Sequence, residues 1–219
     1  MGISLEFLES EEWKTIQDEL DKLEKSGVQL SPSRDKLFTS LSEFDLGSVD
    51  VCLVGQDPYP NPKLSTGRAF SIPKRFSPED FPPTLKQIFK EYCKDLHFPF
   101  PSHGDLSKWR DQGVLLWNYV PVTQAFTSLT CDWLQWDSLN RELMEKLKDN
   151  KVVFALLGGT AKRSLKYIGE DYPYVVVTSH PSPRGSLRSK NPFIGARLFS
   201  SINVKLRQLG KEPIDWRLE

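Results

Sequence analysis

Residues 51–70 read VCLVGQDPYPNPKLSTGRAF, an apolar run that passes without a break into a turn carrying an acid. Val51, Cys52, Leu53 and Val54 show no polar alternation, which is the pattern of a strand covered on both faces. Gly55 then opens a turn in which Asp57 stands between Gln56 and Pro58, with Tyr59 and Pro60 next. Asp before Pro is ordinary turn chemistry. A carboxylate at the carboxyl end of a buried strand is more specific, because open α/β sheets bind their ligands in the crevice beyond such ends.

Working outward, residues 49–54 form the first of four such runs. GVLLWN (113–118), VVFALLG (152–158) and YVVVTSH (174–180) are the others. Amphipathic segments separate them: a helix over 83–96 with Leu85, Ile88, Phe89, Tyr92 and Leu96 inward, another marked by Leu139, Leu143 and Leu147, a short one from about Thr160, and a closing one carrying Leu198, Phe199, Ile202, Leu206 and Leu209. The alternation predicts one α/β domain, a central four-stranded, mainly parallel sheet flanked by helices. Ahead of it, Ser10 caps a helix with Trp13, Ile16, Leu20 and Leu23 on one face and Gly27 as its stop. Ser31-Pro32 opens a second, bearing Leu37, Phe38, Leu41 and Phe44. Residues 1–49 are thus expected to be a helical lead-in, and 50–219 the α/β domain proper, in one globular unit.

The 219 residues suit one full core, and 38% hydrophobic content excludes disorder. No apolar run approaches the ~18 residues of a membrane span. The start, MGISLEFLE, lacks a basic n-region, and Glu6 breaks the myristoylation pattern; a cytoplasmic location, or a nuclear one in a eukaryote or virus, is expected. Cys52, Cys93 and Cys131 lie far apart, as do His97, His103 and His180, so neither a disulfide framework nor a metal motif is indicated. Net charge is zero but uneven: residues 1–50 hold 12 acids and 5 bases, while 160–199 hold 7 bases and 2 acids. The basic stretch is either a polyanion-binding face or a solvated one.

The four runs end at Gln56-Asp57, Asn118, Gly159-Thr160 and His180. A carboxylate, a carboxamide, a Gly-Thr turn and an imidazole are therefore delivered to one sheet edge, which makes a site there.

GQDPYP (55–60), GRAFS (67–71), PPT (82–84), GVLLWN (113–118), GGTA (158–161) and HPSPRG (180–185) resemble, in order, the motifs of the family 1 uracil-DNA glycosylases. The likeness runs from about residue 50 to PIDW (213–216). It implies cleavage of a deoxyuridine N-glycosidic bond through an oxocarbenium-like sugar, with no cofactor. By resemblance, Asp57 stabilises the sugar cation and orients water, and a neutral His180 donates to uracil O2. Asn118 reads O4 and N3, Phe70 stacks on the base, Tyr59 excludes a C5 methyl, and Gln56 shapes the pocket through its backbone. Pro82, Pro83, Thr84, Gly159, Thr160 and Ser182 resemble the loops that grip the DNA backbone, with amides at the helix start near Thr160 suited to phosphate. Implied partners are uracil-containing single- or double-stranded DNA and a proteinaceous uracil-glycosylase inhibitor, with a monomer as the default.

Three positions depart from the family pattern. Pro60 replaces the usual His, which implies altered water placement. Arg184 replaces a wedging Leu, and its guanidinium is suited to stacking or to phosphate. Gly158 replaces a common Trp, implying looser packing without consequence for the chemistry. A DNA-binding scaffold or processivity-type subunit with weak or vestigial activity is the alternative, although it needs none of Asp57, Tyr59, Phe70, Asn118 and His180. An α/β hydrolase of small nucleotides lacks the metal or phosphate cluster it requires.

Overall fold

The computed structural model describes residues 2–188 and 191–218. Strands β1 (Val51–Gly55), β2 (Val114–Asn118), β3 (Val153–Leu157) and β4 (Val175–Thr178) form one parallel sheet in the order β2-β1-β3-β4. Val51 stands opposite Val114 and Val153, and Gly55 opposite Asn118. Every residue of the first three strands is buried, as their unbroken apolar runs require. Strand β4 is shorter than the YVVVTSH run. Beyond Thr178 the Ser179 amide donates to Asn191 O (2.8 Å), and the chain leaves the ladder.

Successive strand residues point to opposite faces, and two apolar clusters result. Cys52, Val54, Leu115, Trp117, Phe154 and Leu156 enter one; Val51, Leu53, Val114, Leu116, Val153 and Ala155 enter the other. Four long helices cover them: α1 (Glu11–Lys25), α2 (Pro83–Leu96), α3 (Asp137–Asp149) and α4 (Leu198–Gln208). Helices α1 and α3 pack on the first cluster through Ile16, Leu20, Leu139, Leu143 and Leu147. Helices α2 and α4 pack on the second through Leu85, Ile88, Phe89, Phe199 and Ile202. None of the described helices is long and apolar enough to cross a membrane. The three cysteine thiols are free, with Cys52 and Cys131 buried.

The N-terminal helix forms as its sequence directs. Ser10 Oγ accepts the Trp13 amide (3.1 Å), and the chain turns away at Gly27 (φ 88°), where the Val28 amide reaches back to Leu23 O. The second expected helix does not form as one piece. Leu30–Ser31 pairs antiparallel with Thr123–Gln124, and Ser31 Oγ donates to Tyr59 O (2.7 Å), so the residue read as a helix opener belongs to a strand pair. A four-residue helix, Thr39–Ser42, lies between the 3-10 turns Arg34–Lys36 and Leu46–Ser48. Leu37, Leu41 and Phe44 are nevertheless buried in the first cluster together with Ile3, Leu5 and Phe7. The lead-in is therefore part of the core.

Helix α2 also fastens the chain that returns from β4. The fully buried Glu91 accepts the amides of Gly195 (2.5 Å) and Arg197 (2.7 Å), and Asp95 accepts Ser200 N (2.8 Å) and Oγ (2.6 Å). Removing the buried Glu91 carboxylate leaves the two backbone amides without their acceptor and a void beneath the helix. Glu91→Ala is expected to lower unfolding free energy by about 3 kcal/mol in urea titration. A loss below about 1 kcal/mol means that the anchor is not used.

Candidate active site

From β1 the chain passes to the edge strand β2, whereas β3 lies on β1's other side, so the topological switch point falls between β1 and β3. A cleft of about 100 Å³ opens there. Gln56, Asp57, Pro58, Tyr59 and Pro60 line it from the turn after β1, Phe70 and Thr84 from the segments that follow, Ser128 from a loop beside Asp57, and His180 from just past β4. The carboxylate and the imidazole thus share one cleft, although they are more than 120 residues apart in the chain.

Asp57 is held at both oxygens. Its Oδ1 accepts Gln56 Nε2 (3.0 Å); its Oδ2 accepts Ser128 Oγ (2.6 Å) and the Leu129 amide (2.7 Å). Thr160 Oγ1 donates to Gln56 Oε1 (3.4 Å), which carries the network to the end of β3. Gln56 therefore acts through its side chain as well as its backbone, whose carbonyl accepts the Val120 amide. Ser128 and Leu129 were not legible in the sequence. The stretch FTSLT has no motif, and only the fold brings it beside residue 57.

The opposite wall is a packed unit. Tyr59 Oη donates to Phe70 O (3.0 Å), and burial pushes its phenol strongly upward, so it stays neutral. Asn118, 6% exposed at the end of β2, lies close to the ring of Phe70, which lines the cleft. Gly55 explains how it comes so near. A Cβ at 55 would lie 2.9 Å from both Asn118 Oδ1 and Phe70 Cζ, so the absent side chain lets carboxamide and ring approach.

His180 is buried enough that its imidazole is pushed below the ordinary histidine value, and the Asp57 carboxylate opposes that shift in part. Gly158 lies against it. With φ 101°, a Cβ there would fall 2.9 Å from His180 Cβ and 3.1 Å from Cδ2. A side chain at 158 therefore requires either this backbone or His180 to shift, so the glycine bears on where the imidazole sits.

The remaining candidates lie in segments that adjoin cleft residues in the chain. Pro83 starts α2, Pro82 precedes it, and Thr84 reaches the wall. Gly159 is exposed and Thr160 half-buried, in a helical turn of four residues, Gly159–Lys162. So short a turn aligns few peptide dipoles, leaving only local amides to suit a phosphate. Ser182 Oγ accepts the Gly185 amide (3.2 Å), and Arg184 is exposed beside it. The basic stretch is less available than its tally suggests: Arg163 pairs with Asp132 and Asp137, and Lys166 with Asp137. Lys190 and the side chain of Arg188 lie outside the described residues.

Comparison with known proteins extends the likeness to nearly the whole chain. The family model described as the uracil DNA glycosylase superfamily matches residues 41–207. A uracil-DNA glycosylase of Acinetobacter baylyi is 35% identical over 216 residues, 98% of this chain and 89% of that one. One of Campylobacter lari is 36% identical over 194 residues, 88% and 82%. The crystal structure of mimivirus uracil-DNA glycosylase shares the fold, with a TM-score of 0.86 at 24% identity over 96% of this chain and 83% of that one. A variant of mimivirus UNG in complex with UGI has the same TM-score at 25% identity, covering 97% and 86%. Identity of this extent over nearly full length makes the chain a member of the uracil-DNA glycosylase superfamily, and so a hydrolase of N-glycosyl bonds.

Proposed function

We propose that the chain draws a uracil out of DNA into the cleft and hydrolyses its N-glycosidic bond, leaving an abasic site. The supporting observation is that Asp57 and His180 line one cleft, near enough for the carboxylate to act on the imidazole against its burial. In the reaction the C1′–N1 bond breaks and its electron pair leaves with uracil. Asp57 faces the positive charge that develops on the sugar. Its Oδ1, with one donor, keeps acceptor capacity to orient a water. The water oxygen bonds to C1′, and its proton passes by way of the carboxylate to solvent. A neutral His180 donates to uracil O2 and holds the leaving anion.

Selection follows from the opposite wall. The Asn118 carboxamide accepts from uracil N3–H and donates to O4, a pattern that cytosine reverses. Phe70 takes the face of the ring, and Tyr59 fills the place of thymine's methyl. Tyr59→Ala is therefore expected to release measurable thymine from thymine-containing oligonucleotides while uracil release falls about tenfold. No thymine product at long incubation removes the steric role.

Pro82, Pro83, Thr84, Gly159, Thr160, Ser182 and Arg184 contact the strand on either side. The proposed partners are uracil-containing DNA, single- or double-stranded, and an inhibitor protein of the kind bound to mimivirus UNG; the protein acts as a monomer in cytoplasm or nucleus. Incubation with uracil-containing oligonucleotides and a chelator tests this reading. Release of free uracil is expected. Tight binding without release points to a DNA-binding scaffold instead, and release abolished by the chelator points to a metal hydrolase.

A further inference from the structure

We infer that Phe126 is a stacking platform for the nucleobase next to the extruded uracil, and that it serves single-stranded DNA in particular. The inference rests on the glycosylase reading of the cleft. Phe126 is the most exposed of the large apolar side chains described, at 74%, and its backbone is tied to the cleft. Its amide donates to the carbonyl of Pro60 (2.8 Å), a cleft residue. Two residues on, Ser128 lines the cleft and bonds to Asp57, followed by Leu129.

The segment is held rigid. The Ala125 amide donates to Gln29 O (2.8 Å), that of Thr127 to Gln124 O (3.2 Å), and Thr123 Oγ1 to Thr127 O (2.7 Å). Phe126 itself adopts φ 64°, a region that non-glycine residues seldom occupy unless their surroundings impose it. The fold thus fixes the backbone that presents an exposed aromatic ring next to residues of a site for a base.

A ring in that position finds a free π-face only where the neighbouring base is not already stacked and paired. Single strands offer such faces, and base–aromatic stacking there is tolerant of sequence. Trp133, 54% exposed and seven residues on, does not continue the platform. It lines a separate groove of about 370 Å³ with Glu12 and Glu19, carboxylates that repel a phosphate backbone.

Steady-state uracil release from short single-stranded oligonucleotides tests the inference, with the base present or omitted at the positions immediately 5′ and 3′ of the uracil. Phe126→Ala is expected to raise KM about tenfold on the base-bearing strand. Omitting the base on one side should raise the wild-type KM by the same factor, and the two changes should not add. Phe126→Trp should restore the wild-type KM, and Trp133→Ala should leave it unchanged. Additive losses, or an unaltered KM for Phe126→Ala, overturn the platform and leave the glycosylase reading intact. A wild-type protein that releases no uracil overturns both.

Discussion

Asp57→Asn is expected to lower single-turnover uracil release by about 10³-fold while DNA affinity stays within a few-fold. The substitution keeps the shape of the side chain but removes the charge that faces the sugar cation. It also disturbs the network. Gln56 Nε2 donates to Oδ1 of the acid, and Ser128 and Leu129 donate to Oδ2, so an amide group at either place meets a donor. Gln56 can turn its amide over, yet Thr160 then loses its acceptor. Charge and placement are lost together. An excision rate within tenfold of the wild type ends the role given to Asp57.

His180→Ala is expected to cost about 10²–10³-fold, the usual effect of removing one donor to a developing anion. The pH profile adds a second test. Burial depresses the imidazole pKa, with the Asp57 carboxylate opposing, so the neutral form prevails at pH 7. The unfolded chain takes up its proton first, near the ordinary value of about 6.5. Stability is therefore complete above that value and is lost as pH falls from it toward the depressed value. Activity should be level across neutrality, with its acid limb below 6.5 and absent from His180→Ala. An acid limb in the wild type at or above 6.5, abolished by the substitution, means that the imidazole is not held neutral.

Much of this site was legible in the sequence because chain order and spatial order coincide at the strand ends. Four apolar runs gave four parallel strands, and each polar residue that followed a run fell on the same edge of the sheet. What escaped the reading acts at a distance. Ser128 and Leu129 steady Asp57 from a segment with no pattern of its own, and Glu91 looks in the sequence like an ordinary helix charge until Gly195 and Arg197 arrive against it. The helix expected after Ser31-Pro32 had the right apolar spacing. A strand partner at Thr123–Gln124, invisible to local periodicity, claimed its first residues.

Helix α2 carries a mechanical consequence. Thr84, in its first turn, belongs to one wall of the cleft, and about 10 Å further along the same rod Glu91 grips the segment that comes back from the His180 side. One rod thereby joins a wall of the cleft to the returning segment, as the beam of a calliper joins its jaws. If the chain acts on DNA as proposed, the strand is expected to bend to the gauge of the protein, because a helix joining the jaws gives them little freedom to follow it.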